Sequence, residues 1–144
     1  MASLTNYTQN KIIDWLFRGQ VFAPPATLYF ALVTTASSAA ANGTEVAGNN
    51  YARVAVASSL ANWAGTQGAG TTAASSGTSG ATSNNGVLLW PTPSASWGTI
   101  VGVEVWDAAT AGNYLMFAPL PVSKYINPQD VVEFLASTLG FSIG

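Results

Sequence analysis

The sequence predicts an all-β fold, a single β-sandwich or jelly-roll-like domain of about seven or eight strands behind one short N-terminal helix. Three observations carry this. Short apolar runs with residue-by-residue alternation recur along most of the chain, as in Tyr51–Ser58 (YARVAVAS) and Trp97–Trp106 (WGTIVGVEVW). Clusters of Gly, Pro and Asn separate them. Only one segment, near the N-terminus, has helical spacing. Seven or eight short strands between such turns indicate a sandwich or barrel, and 144 residues suit one domain with a real core.

The elements follow in order. Residues 5–18 predict the helix. Thr5 or Asn6 can cap it, Ile12, Ile13, Leu16 and Phe17 fall on one side, Trp15 sits at the edge of that stripe, and Gly19 is a plausible stop. The stripe is expected either to pack on the chain's own sheet or to dock in part on a neighbouring subunit. Pro24 and Pro25 turn the chain into an extended segment, and Ala26–Thr35 (ATLYFALVTT) reads as a strand with both faces covered. A small-residue loop, Ser37–Asn50, leads to Tyr51–Ser58, with Val54 and Val56 on one face and Arg53 on the other.

Residues 61–86 (ANWAGTQGAGTTAASSGTSGATSNNG) are almost wholly Ala, Gly, Ser, Thr, Asn and Gln, with Trp63 the sole large side chain. A stretch of this length is unusual inside a compact domain. It is expected to be a long loop or an arm over a neighbouring subunit, with disorder or a weak edge strand as the alternatives. Beyond it, Val87–Trp90 is a short strand stopped by Pro91 and Pro93. Trp97–Trp106 places Val101, Val103 and Val105 on one face, and Asp107–Asn113 joins it as a hairpin to Tyr114–Leu120, which Pro119 and Pro121 bound. Val131–Ser137 and Thr138–Ile143 supply the last strands.

Composition argues against catalysis. Only 7% of the residues are charged, against roughly a quarter in typical domains, and there is no His and no Cys. Acid–base catalysis and zinc ligation thereby lose their commonest side chains. Glu104 with Asp107, and Asp130 with Glu133, read as a solvated strand edge and turn caps rather than as paired acids or calcium ligands. Serines lack an activating base in any recognisable motif, and Gly65–Gly70 lacks the Lys-Ser/Thr of a phosphate loop. No cofactor is expected. A net charge of −2 with scattered Lys11, Arg18, Arg53 and Lys124 gives no reason to bind nucleic acid. No apolar run approaches the length of a membrane span, and the N-terminal stretch does not read as a signal peptide. Trp63, Trp90, Trp97 and Trp106 could form a sugar-binding platform, although the core is the commoner home for such side chains.

Three stretches, NKIIDWLFRGQ…APPATLYFALVTTA, GTEVAGNNYARVAVASSLANWAGTQG and WGTIVGVEVWDAATAGNYLMFAPL, resemble small virion structural proteins of tailed bacteriophages, often labelled tail-fibre proteins. The most specific parts are the TEV-x-G-x-x-YAR-x-AV element (Thr44 to Val56) and the WDAAT-x-GN turn (Trp106 to Asn113). The resemblance, with the short length and neutral composition, implies a capsid cement or decoration protein on the capsid exterior of the virion. Its partners would be the major capsid protein and itself, as homodimer or homotrimer. The alternative is a tail-fibre or baseplate adaptor binding a tail partner or a host glycan. Candidate interface residues are Ile12, Trp15 and Leu16 on the helix, and Trp63, Gly65, Gly68, Gly70, Thr71, Thr72, Asn84 and Asn85 in the small-residue segment.

Overall fold

The computed structural model describes residues 2–143. It is antiparallel β throughout, with one helix, and the all-β expectation is met. The elements in chain order are β1 (Ser3–Leu4), α1 (Asn6–Phe17), β2 (Thr27–Val33), β3 (Val54–Ala57), β4 (Ala81–Ser83), β5 (Leu88–Leu89), β6 (Gly98–Trp106), β7 (Tyr114–Ile126), β8 (Glu133–Phe134) and β9 (Gly140–Ser142). Five strands form the main sheet in the order β1-β7-β6-β2-β3. The second layer is not a full sheet. It consists of two ribbons, β4-β9 and β5-β8, of two or three residues per strand.

β2 is an inner strand, paired with β3 on one side and β6 on the other, and Phe30 through Val33 are buried. Its near-continuous apolar run thus meets cover on both faces, as its sequence predicts. The β6–β7 hairpin is also present, with Trp106 opposite Tyr114. It departs from simple alternation at a bulge. Gly102 pairs with Pro119, but Ile100 pairs with Lys124, so β7 carries extra residues there. Prolines supply no ladder N–H, so Pro119 and Pro121 break the pairing locally, yet they do not end the strand. β7 runs through both, to Ile126. The same shift moves Ile100 into the core beside Val103 and Val105 and leaves Val101 half-buried.

The core lies between the sheet and the ribbons. Phe30 from the sheet meets Trp63 at 5.3 Å and Phe141 from β9 at 6.2 Å, while Trp90 meets Phe134 from β8 at 5.9 Å. Each such aromatic pair adds about 0.5–1.5 kcal/mol beyond its buried area. Trp90, Trp97 and Trp106 are buried and Trp63 is half-buried against Phe30, so these tryptophans pack the interior and form no sugar platform.

The ribbons are too short to hold themselves together by ladder bonds, and Asn84 joins them. Its side-chain Nδ2 donates to the carbonyls of Gly86 (2.7 Å) and Leu135 (2.8 Å), and its Oδ1 accepts from the Leu139 N–H (2.9 Å). Its backbone N–H donates to Leu139 and its carbonyl accepts from Ser137. Asn84 is therefore buried structural glue rather than a contact residue for another subunit. Asn84→Ala strands three backbone partners, the buried Leu139 N–H and the part-buried carbonyls of Gly86 and Leu135, and is expected to lower unfolding stability by about 2–4 kcal/mol. Equilibrium denaturation measures this, and a loss below 1 kcal/mol would contradict the joining role.

Candidate assembly surface

α1 begins on a cap that also fastens it to the sheet. The Thr5 hydroxyl oxygen accepts from the Thr8 N–H and the hydroxyl lies 2.6 Å from the Tyr114 carbonyl. The Thr8 hydroxyl donates to the Leu115 carbonyl at 2.8 Å. The Thr5 and Asn6 N–H groups, which a helix start leaves free, donate to Leu115 and Ala39. Gly19 has φ +67° just past the helix, where the N–H groups of Arg18 and Gln20 both turn back to the Asp14 carbonyl.

This attachment uses the polar side of the helix. Tyr7 and Lys11 flank buried Thr8 and share a cavity of about 260 Å³ with Leu115 and Asp107. At 100° per residue, Ile13 and Phe17 lie across the helix from Thr8, Leu16 lies to one side, and Ile12 and Trp15 are on the same side as Thr8 but nearer the C-terminal end. Most of the apolar stripe consequently stays off the chain's own sheet. Ile12 is half-buried, whereas Ile13, Trp15, Leu16 (60% exposed) and Phe17 (75% exposed) face solvent, and Val21 beyond the helix is 89% exposed. Amphipathic helices ordinarily bury this stripe. Here the N-terminal hydrogen bonds dictate the rotation, and the stripe is left without a partner in its own chain.

The small-residue segment is a closed loop held by its own hydroxyls and amides. Thr66 receives an N–H from Gly77 on its hydroxyl and donates its own N–H to the Ser75 hydroxyl. Gln67 takes the Ser76 N–H and donates to the Ala74 carbonyl. Thr71 accepts from the Gly65 N–H and donates to the Gly68 carbonyl at 2.6 Å. Asn85 ties both ends together by donating to the carbonyls of Ala61 and Thr71. Gly65 is buried beneath the Gln67 side-chain amide, which a Cβ there would push aside. Gly68 and Gly70 are exposed at positive φ, and Thr72 is exposed. The predicted residues therefore separate into groups. Ile12, Trp15 and Leu16 lie on one side of α1, whereas Trp63, Asn84 and Asn85 serve the interior of the loop and ribbons.

Sequence reading missed the polar network that joins the two most specific motifs. Arg53 reaches the Glu45 carboxylate with Nε (2.9 Å) and Nη2 (2.7 Å) and donates from Nη1 to the carbonyls of Ala108 (2.8 Å) and Ala111 (3.0 Å). Its guanidinium lies 4.3 Å from the centre of the Trp106 ring, and its side chain is only 6% exposed. Trp106 donates its indole N–H to Glu104, which is 0% exposed and also accepts from Ser37 and the Gly43 N–H, both at 2.6 Å. Glu104 is thus no solvated strand edge. Asp107 does cap its turn, through two bonds to Asn113. The Tyr51 hydroxyl donates to Glu45 and accepts from the Leu32 N–H. Burial pushes its pKa far above the usual phenol range. The spacing of Glu45, Tyr51, Arg53 and Trp106 was visible, but nothing in a strand's period says that an outward Arg closes over a distant turn.

The motifs that meet in this network are the ones most characteristic of the chain. Residues 3–142 match the model of the family described as "Podophage GP4 fiber I protein gp80". The chain belongs to this family. It is a phage virion structural protein of tail-fibre type. No curated protein matches it.

Two outcomes test the network in this fibre-family chain. Arg53→Met removes one partner of a largely buried pair and is expected to cost about 3–5 kcal/mol, while Arg53→Lys, lacking the fork, recovers only part of it. Equal stability of Arg53→Lys and wild type would refute the fork geometry. Because Tyr51 stays protonated in the folded state while the unfolded phenol ionises near 10, the folded chain binds the extra proton at high pH. Stability is full below about pH 10 and falls above it, by about 1.4 kcal/mol per pH unit from this group. Tyr51→Phe flattens that alkaline slope, as denaturation at stepped pH measures.

Proposed function

We propose that this chain is a non-enzymatic tail-fibre component that joins neighbouring virion proteins through neutral, apolar surface. The observation that carries the reading is the family match across 3–142, whose description is of a fibre protein. It supports a place in the tail over one on the head, where a cement protein bound to the major capsid protein would sit. The outward stripe of α1 supports it, since a soluble chain gains nothing by turning Leu16 and Phe17 to water unless another surface covers them. The low outward charge is also suited to assembly. Glu45, Arg53 and Glu104 are taken up by the internal network, which leaves seven of ten charges for the exterior, and a nearly neutral exterior favours association. Assembly then stabilises the chain by mass action, because the partner binds only the folded form.

Immunogold labelling or density fitting in purified virions tests the assignment. Label on the tail, together with heat stability of the head unchanged when the protein is absent, is the expected outcome. Label spread over the shell, with heads that burst at lower temperature in its absence, would replace this reading with capsid cement.

A further inference from the structure

We infer that the free edge of β3 is a self-association site and that its occupant is β3 of a second copy, added antiparallel across a twofold axis at Ala55. The contact joins the two main sheets into one continuous sheet. The pairing deepens the assembly reading above and rests on it only for its place in the virion.

β3 closes one side of the main sheet, with β2 on its inner flank alone. The ladder decides which of its backbone groups look outward. The Ser58 N–H donates to the Ala26 carbonyl, so Ser58, Val56 and Val54 exchange bonds with β2, and the backbone groups of Arg53, Ala55 and Ala57 point away from it. Among the described residues one donor meets that outward row, the Asn62 side-chain amide on the Ala57 carbonyl at 3.0 Å. The other N–H and C=O groups of the row are a template for a further strand.

The opposite side of the sheet is guarded where it is open. β1 covers β7 only at Met116 and Phe117. Beyond them β7 carries Pro119, Pro121, Lys124 and an irregular register, the devices that keep edges from pairing. β3 reads Val54-Ala55-Val56-Ala57, with no Pro, no Lys and an unbroken register. Arg53 does not guard it, because its side chain is turned onto Glu45 and is only 6% exposed.

The edge itself singles out a second copy. Its outward row is bounded by the Tyr51 N–H, which is spent on the Gly48 carbonyl, and by Asn62 on Ala57, so its centre is Ala55. A second β3 laid antiparallel on that centre sets Ala55 against Ala55 and Arg53 against Ala57, and each outward donor finds an acceptor. The sequence is symmetric about the same residue, with Val54 and Val56 on either side. Both pack on the core, so each Val meets a Val of the other copy on that face, as neighbouring strands favour, and both cores stay on one side of the sheet. Like charges nowhere stand opposite each other. Gly86 and Val87 form the other lip of a crevice of about 230 Å³ along this edge, and Val87, 54% exposed, is an apolar flank for the incoming strand. A contact this short falls below the roughly 800 Å² per partner of a lasting interface, so the pair is weak in dilute solution and gains where copies are held close together.

Sedimentation of the full chain across a concentration series, with amide hydrogen exchange read residue by residue, tests the pairing. The expected outcome is a species of twice 14.8 kDa that grows with concentration. Exchange at Ala55 should slow as it grows, while exchange at Val54 and Val56, already bonded to β2, stays unchanged. Ala55→Pro removes an outward N–H that β2 does not use and should weaken pairing by at least about tenfold with circular dichroism unchanged. Ala55→Lys and Ala55→Glu, at an exposed side chain, should each weaken it. An equimolar mixture of those two variants should pair more tightly than either alone, because the twofold sets the two side chains opposite each other. A chain that stays single up to about 1 mM, a trimer, a pair indifferent to Ala55→Pro, or a mixture no tighter than the separate variants would overturn the inference. Tail labelling decides the fibre assignment separately, so a single chain found on the tail sinks only the pairing, and a paired chain found on the shell sinks only the fibre assignment.

Discussion

The structure depends on one cation. Arg53 stands at the entry to β3, yet its guanidinium makes four hydrogen bonds that reach Glu45 before it in sequence and the 107–113 turn far beyond it. The fork holds Glu45 in plane, and Glu45 in turn anchors Tyr51 and pairs through its backbone with Val33. The third nitrogen fixes a turn in which Ala111 and Gly112 both take positive φ. A turn of that shape has carbonyls pointing inward, and Arg53 satisfies two of them. The β6–β7 hairpin, the return of the chain from β2 to β3 and the stack of Trp106 on Tyr114 all meet at this side chain.

Around that cation the fold solves a problem of short strands. Ribbons of two or three residues contribute few ladder bonds, and isolated ones are marginal in water. The chain supplies the missing constraints with side-chain amides and hydroxyls. Asn84 joins the two ribbons, and Thr66, Gln67, Thr71 and Asn85 close the loop between β3 and β4. A segment of small polar residues looks like a linker by composition. Its order comes from where each hydroxyl finds a backbone partner, and composition holds no record of that.

The legible part of the sequence was therefore the part governed by period and by covalent restriction. α1 starts and stops where Thr5 and Gly19 indicate, because capping is local. β2, β6 and the β6–β7 hairpin appear where alternation and turn residues place them. What alternation could not give was the irregularity between Ile100 and Gly102, where β7 advances five residues against two and Ile100 rather than Val101 joins the core, since the pattern of apolar letters in β6 carries no record of its partner's extra residues. Nor could it place Glu104, whose three donors come from residues far off or on the same strand. At the candidate surface, the helix residues Ile12, Trp15 and Leu16 were found by spacing, but the direction of their stripe was not, because it follows from hydrogen bonds at Thr5 and Thr8.

That direction is where stability and assembly come into conflict, and the geometry shows how the conflict is resolved. Rotating α1 by half a turn would bury Ile13 and Phe17 against the chain itself, a gain of roughly 1.5–3 kcal/mol for each side chain. It would also pull the Thr5 and Thr8 hydroxyls off the Tyr114 and Leu115 carbonyls and expose helix-start N–H groups to an apolar surface, at about 1–3 kcal/mol per orphaned group. The two sides are of similar size, so the polar anchor can hold the helix in the outward orientation. The apolar gain is then deferred rather than lost, and it is recovered when another surface covers the stripe. A face kept open at this cost, on a chain with so few charges to repel a neighbour, is the feature that best accounts for a small β domain with almost no chemistry of its own.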